Sequence, residues 1–294
     1  MQIIEVLKVI FLGIIEGITE WLPVSSTGHM ILFDSIPNLG LNVSEEFREV
    51  FLYFIQLGAI LAVLVLFFKK LFPFGIEKQQ LPLTGSALEQ TQTKSKLVVK
   101  KDVLNLWGKV LVACLPAAIG VVVGLPDYPI VVAIALIVYG VAFIVVEKLK
   151  QGKSFAVQST ADISYKQALI IGLFQVLAII PGTSRSGATI LGALLIGISR
   201  PAGAEFTFFL AIPVMVGASG IKILKFLMDF GMFSGAEIGY LLIGAAVAFL
   251  VSLACVKLLM NFVKKHDFTV FGWYRIALGA LVIILILCSV IPAL

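Results

Sequence analysis

Long apolar stretches separated by short polar connections make up most of the chain, and two segments break that rhythm. Six stretches are apolar and long enough to cross a hydrocarbon core ~30 Å thick, which takes about 20 helical residues. They run approximately over 47–70, 104–124, 129–149, 206–228, 236–260 and 270–293. The exceptions lie at about 1–40 and 164–200. Each starts as an apolar helix, breaks at Pro, Ser, Thr and Gly, and resumes as an apolar stretch too short to span. Broken helices are tolerated at membrane depth only where protein or a wet cavity surrounds the exposed backbone. Both segments therefore read as re-entrant helix–loop–helix units. The one real linker, about 71–103, carries Pro73, Pro82, Gly85 and a Thr/Gln/Lys/Ser run without apolar period. It reads as a solvated, partly mobile cytoplasmic loop.

The two broken segments also resemble each other. A shift of 159 positions pairs Gly13 with Gly172, Ser25 with Ser184, Gly28 with Gly187, Glu46 with Glu205 and Gly58 with Gly217. Apolar coincidences are cheap in such a chain; those of Gly, Ser and Glu are not. The pattern predicts one integral membrane domain built by duplication, with repeats at 1–149 and 150–294. Three spans separate the two broken segments, so the second enters from the face opposite the first. The expected fold is an all-α polytopic membrane protein with about six transmembrane helices and two re-entrant segments in an inverted-topology repeat, an arrangement that places a site at the repeat interface.

Composition supports the membrane class. The 294 residues are 60% hydrophobic and 13% charged, more apolar than one soluble core can bury. The net charge of +5 does not point to nucleic acid. Its lysines cluster at Lys69–Lys101, at Lys148–Lys166 and at Lys257–Lys265, beside spans, where they set orientation. On this scheme the three basic connections face the cytoplasm, the first repeat enters from outside, and Lys222 and Lys225 dissent near an outer end. Cys114, Cys255 and Cys288 lie in apolar runs and read as packing residues. No removable signal peptide is expected at the N-terminus.

The candidate chemistry sits in the two breaks. Glu16 and Glu20, four apart, share a helix face; in a low dielectric they repel unless one is protonated or a cation lies between them. Paired carboxylate oxygens suit Mg²⁺ or Ca²⁺, although an exposed helix end would also explain them. Ser25, Ser26, Thr27 and Gly28 offer hydroxyls and amides at a helix break, followed by His29, which can serve as acid or base or simply hold the loop. Ser26 with His29 is the most economical nucleophile–base pair, and direct attack by water stays open. Arg185 stands among Gly182, Thr183, Ser184, Ser186 and Gly187; its fork suits phosphate, or it pairs structurally with Glu16 or Glu20. Together these describe a phosphoryl-transfer site. His266 and Asp267 read as a solvated loop, Arg275 as an interface anchor with Trp273 and Tyr274, and Glu46 and Glu205 as helix-start carboxylates.

Glu-Gly-Ile-Thr-Glu-Trp-Leu-Pro-Val-Ser-Ser-Thr-Gly-His at 16–29 and Pro-Gly-Thr-Ser-Arg-Ser-Gly at 181–187 resemble the two signature motifs of bacterial undecaprenyl-diphosphatases of the bacitracin-resistance type. The resemblance covers essentially the whole chain. It implies hydrolysis of undecaprenyl diphosphate to undecaprenyl phosphate and phosphate at the outer face of the bacterial inner membrane, recycling the lipid carrier for cell-wall synthesis with a divalent cation. The family's carboxylate pair falls on Glu16 and Glu20, its serine and histidine on Ser26 and His29, its phosphate-binding arginine on Arg185, and supporting hydroxyls on Thr27 and Ser184. The remaining loop residues Ser25, Ser186, Gly182 and Gly187 are expected around the phosphate. Partners would be the lipid substrate and membrane lipids, not nucleic acid, and a homodimer is compatible with this reading. The linker at 71–103 looks longer than the family requires. A lipid flippase or transporter is the rival, alone or as a second activity, because inverted repeats with broken helices are transporter architecture. The other membrane phosphatase class shares a Ser-Gly-His-like beginning but needs a downstream histidine that is absent after Ser184-Arg185.

Overall fold

A computed structural model of the chain describes residues 2–36, 39–82, 91–117 and 125–292. Five helices are long and apolar enough to cross a membrane: α3 (Glu45–Leu66), α6 (Pro129–Lys150), α9 (Arg200–Phe230), α10 (Gly235–Phe262) and α11 (Thr269–Leu287). They carry five of the six expected spans. The sixth, expected over 104–124, forms helix α5 (Lys101–Cys114) and a tight turn at Leu115–Ala117, and its part at 118–124 lies outside the described residues. Exposed Leu61, Leu250, Leu258 and Ile284 face outward from the bundle, where lipid is the natural solvent. The chain is an all-α polytopic membrane protein apart from one hairpin.

That hairpin corrects the reading of 71–103. A short helix α4 (Phe68–Leu71) leads into β1 (Phe74–Pro82), which pairs antiparallel with β2 (Thr91–Val99), Phe74 opposite Val99 and Pro82 opposite Thr91. The intervening 83–90, including Gly85, lies outside the described residues. The segment carries no apolar alternation to announce strands, and the backbone ladder carries the pairing.

The broken segments are helix–turn–helix units. Helix α1 (Ile3–Thr19) has 17 residues, about 25 Å, and ends deep in the bundle before α2 (Ser26–Ser35) returns. Likewise α7 (Tyr165–Val176) is followed by a turn and by α8 (Arg185–Leu195). Packing recurs between the halves: α1 lies on α10 and α7 on α5, α3 packs on α10 and α9 on α5, and α2 touches α11 as α8 touches α6. Helices α3 and α9 pack on each other, as do α6 and α11.

Two expectations about charge change. Glu46 does lie in the first turn of its helix, but α9 begins at Arg200 behind Ser199, so Glu205 is inside it and bonds Lys70 Nζ (2.7 and 2.9 Å) and the Thr160 hydroxyl (2.9 Å). Lys222, out of place by the charge rule, is paired with Glu49 and lies over the Tyr53 ring. All three cysteines are free thiols.

Close backbone approach sets the α3–α10 crossing. A Cβ on Gly58 would lie 2.2 Å from the Ala245 carbonyl oxygen, whereas one on Gly217, its counterpart 159 positions on, meets nothing within 4 Å. Overpacking of this kind costs about 1–3 kcal/mol. Gly58→Ala should therefore lower the thermal unfolding temperature of the purified protein in detergent, and Gly217→Ala should leave it within error of wild type.

Candidate active site

The breaks in α1–α2 and α7–α8 meet in the interior. Both second helices start the same way. Ser25 (φ 73°) and Ser184 (φ 69°) take left-handed backbone, and each side chain accepts from the amide three residues on, Gly28 (3.4 Å) and Gly187 (3.2 Å). These are serine N-caps at positions matched by the 159-residue shift. Their hydroxyls and the Gly187 amide thus close helix ends.

Every break frees backbone carbonyls, and side chains from elsewhere take them up. Ser252 and Cys255 of α10 donate to the carbonyls of Gly17 (3.2 Å) and Ile18 (3.4 Å). Ser186 donates across the gap to Glu20 O (3.1 Å) and Leu22 O (3.3 Å), so its hydroxyl is structural too. Arg275 is the central donor. It is fully buried (0% exposed) and donates to Pro23 O (3.1 Å) in the first loop and to Gly182 O (2.7 Å) and Thr183 O (2.8 Å) in the second. The Tyr139 ring lies 5.4 Å from its guanidinium carbon. Arg275 is therefore no interface anchor; Trp273 is exposed, and Tyr274 belongs to the site. A lone arginine inside an apolar span was the available signal.

With the loops tied, Arg185 meets Glu20 with Glu16 beside them, whereas among the described residues no hydrogen bond or ion pair joins His29 to these three. Arg185 Nη2 donates to Glu20 Oε1 (2.8 Å) and Nη1 to Thr207 O of α9 (3.1 Å). This is the structural pairing weighed for Arg185, and it joins the two halves. Glu16 is 2% exposed; its Oε1 has no hydrogen-bond partner among the described residues, and the charges acting on it are Glu20 and Arg185. His29 Nδ1 lies 2.7 Å from Ser25 O, and Nε2 lies 2.7 Å from the Tyr274 hydroxyl, with the rings stacked at 5.7 Å. A carbonyl only accepts, so Nδ1 carries the proton, and in the neutral ring Nε2 accepts from the Tyr274 hydroxyl. Among the described residues no hydrogen bond joins Ser26 to His29, the pair read as nucleophile and base. The reason is geometric, since a side chain in the first turn of a helix reaches back to the carbonyl four residues earlier. Ser26 and Thr27 are half-buried, and their hydroxyls bond no other described group.

The donor set suits a hard cation in part. Two carboxylates stand together, one with an orphaned buried oxygen, but no cluster of three or more metal-binding side chains occurs among the described residues. Mg²⁺ commonly binds through one or two carboxylates plus waters and substrate phosphate, which fits this pair.

Fold and centre define a multi-pass membrane protein with a polar core of carboxylates, arginine, hydroxyls and imidazole enclosed among helices. The chain belongs to the bacitracin resistance protein BacA family, whose profile matches residues 9–281. It is similar to the undecaprenyl-diphosphatase of Enterococcus faecalis, 56% identical over 97% of this chain and 98% of that protein. It is also similar to that of Lachnoclostridium phytofermentans, 52% identical over 96% and 97%, and that of Acetivibrio thermocellus, 50% identical over 96% and 97%.

Arg275→Met would strand three buried carbonyls, each worth about 1–3 kcal/mol. It should destabilise the protein by about 3 kcal/mol or more in thermal melts, while Trp273→Ala, on the exposed side of the same helix, should be nearly neutral.

Proposed function

We propose that the protein hydrolyses undecaprenyl diphosphate to undecaprenyl phosphate and inorganic phosphate, in the bacterial inner membrane and from its outer face. The observation that carries this reading is the Glu20–Arg185 bridge between the two loops, beside Glu16 and on the same tied break as His29 and the uncommitted hydroxyls of Ser26 and Thr27, in a chain about half identical to named undecaprenyl-diphosphatases over nearly its full length. A polyprenyl tail stays in the bilayer, so its diphosphate has to be met by a polar centre sunk among the helices. Recurrent packing of the halves and the matched serine caps support an inverted-topology repeat as the frame, with α3, α5 and α6 crossing between the two re-entrant units.

Arg185 is the group for the phosphate oxygens, its fork matching two of them once substrate competes with Glu20. Thr27, at the mouth of the α2 break, supplies a further donor. The Ser26 hydroxyl attacks the terminal phosphorus. A new P–O bond forms as the bond to the bridging oxygen breaks, and undecaprenyl phosphate leaves with the electron pair. Water then attacks the phosphoserine phosphorus and releases phosphate, regenerating Ser26. His29 moves the protons at Nε2, after the Tyr274 hydroxyl gives way to the reacting group. Glu16 and Glu20 would hold a divalent cation, Mg²⁺ or Ca²⁺, which neutralises phosphate charge when bound. Lipid translocation is the second reading, favoured by the repeated packing of broken helices, and it leaves the His29–Tyr274 pair and the Ser26 hydroxyl without a task.

Purified protein should release phosphate from undecaprenyl diphosphate with Mg²⁺ and lose that activity in EDTA. His29→Ala and Arg185→Ala should each lower the rate by about 10²-fold or more. Wild-type protein that folds but releases no phosphate in detergent or liposomes would rule the phosphatase out. Acid-stable label on Ser26 after a quenched reaction would separate serine attack from direct attack by water.

A further inference from the structure

A polar hollow outside the paired loops lies where the ends of α3, α9 and α10 come together. It has a volume of about 520 Å³, within the range of small-molecule sites. Its charged lining is Lys70, Lys257, Lys264 and a single carboxylate, Glu205. That carboxylate is fully engaged, by Lys70 on both oxygens and by the Thr160 hydroxyl. Lys257 and Lys264 are left exposed, with no acidic partner among the described residues. They are seven apart, Lys257 in α10 and Lys264 in the turn just after it, and both line the same hollow. An amide donor, Asn261, stands between them, and Phe67, Val256 and Met260 form an apolar wall.

Two uncompensated ammonium groups and an amide beside an apolar wall select an anion that can carry a chain. Phosphate offers the charge and the acceptor oxygens to satisfy them together. We propose that this cavity binds a phosphate group, either as the monoester headgroup of a membrane lipid or as inorganic phosphate. The lipid would lay its chain along Phe67 and Met260; the free anion would use the lysines alone. Helix α9 places the cavity next to the candidate active site. Glu205 lines the cavity, and two residues on, the Thr207 carbonyl receives Arg185. The two anion-seeking centres thus share one turn of helix while drawing on separate cations.

The test uses full-length protein in phosphatidylcholine nanodiscs. One arm titrates inorganic phosphate by calorimetry, and the other counts retained phosphatidic acid by native mass spectrometry. Each is run on wild type, Lys257→Gln/Lys264→Gln and the control Lys265→Gln, and again on an Arg185→Ala background so that binding at the loops is accounted for separately. Removing both free lysines should weaken binding at least about tenfold, some 1.4 kcal/mol, with Lys265→Gln unchanged. Loss confined to the phosphatidic acid arm identifies a lipid headgroup; loss in the inorganic phosphate arm identifies the free anion. Equal binding by wild type and the double variant, no binding in either arm, or an equal loss in Lys265→Gln overturns the proposal. Phosphate release from undecaprenyl diphosphate by the double variant reports on the paired loops alone, so failure of one site does not imply failure of the other.

Discussion

One buried guanidinium holds the two halves in register. Breaking a helix inside a bundle leaves carbonyls pointing into a space without water, and an unsatisfied polar group there is costly. Arg275 answers for both breaks at once because it is all donor, always charged and forked. Its three acceptors belong to loops more than 150 residues apart in sequence (Pro23 and Gly182). The geometry of everything nearby follows from that tie. A Cβ on Gly187 would come within 2.9 Å of its Nη1, so the start of α8 is pressed against the same guanidinium. The Glu20–Arg185 bridge then needs no long reach, because the loops that carry its two ends are already fixed.

Scaffold and chemistry are distributed differently over the two loops. Scaffold features recur: Ser25 and Ser184 cap their helices alike, and Gly13 and Gly172 approach the carbonyls of Gly244 and Ala113. The reactive groups are not. At matched positions Glu16 faces Gln175, Ser26 faces Arg185, and His29 faces Ala188. One loop has become acidic with an imidazole, and the other cationic. Such a division suits a centre in which a polar headgroup is gripped from one side and worked on from the other. It also brings Arg185 from the opposite half to pair with Glu20.

Most of this was legible wherever a residue type is forbidden by its surroundings. Charges and prolines in apolar runs exposed both breaks, and the long spans announced themselves by length. The hydroxyls were less legible. Ser25, Ser26, Ser184 and Ser186 look equivalent in sequence, yet three cap or cross-link backbone and only Ser26 is free, because the role depends on φ and on what lies across the gap. Arg275 was misread for a similar reason: near Trp273 and Tyr274 it has the composition of an interfacial belt, and only packing of α6 against α11 turns it inward. The hairpin at 74–99 left no trace because its Thr/Gln/Lys/Ser run carries no apolar alternation to read.

Helix α9 brings these parts together. It runs 31 residues and meets a different partner at each level: Lys70 and Thr160 at Glu205, Arg185 and Thr189 at Thr207, and the Tyr53 carbonyl at Ser219. Between Glu205 and Thr207 the rise is about 3 Å, so the Lys70 pair and the Arg185 pair are adjacent along the same rod. A shift of α9 by a fraction of a turn would alter both. The carboxylate of Glu205 keeps Lys70 occupied and so leaves the field of the neighbouring cavity to Lys257 and Lys264, while the Thr207 carbonyl holds one arm of Arg185 and leaves the other to Glu20. Two cationic groups are thereby aimed in different directions from one turn of helix, and the backbone between them keeps their anions apart.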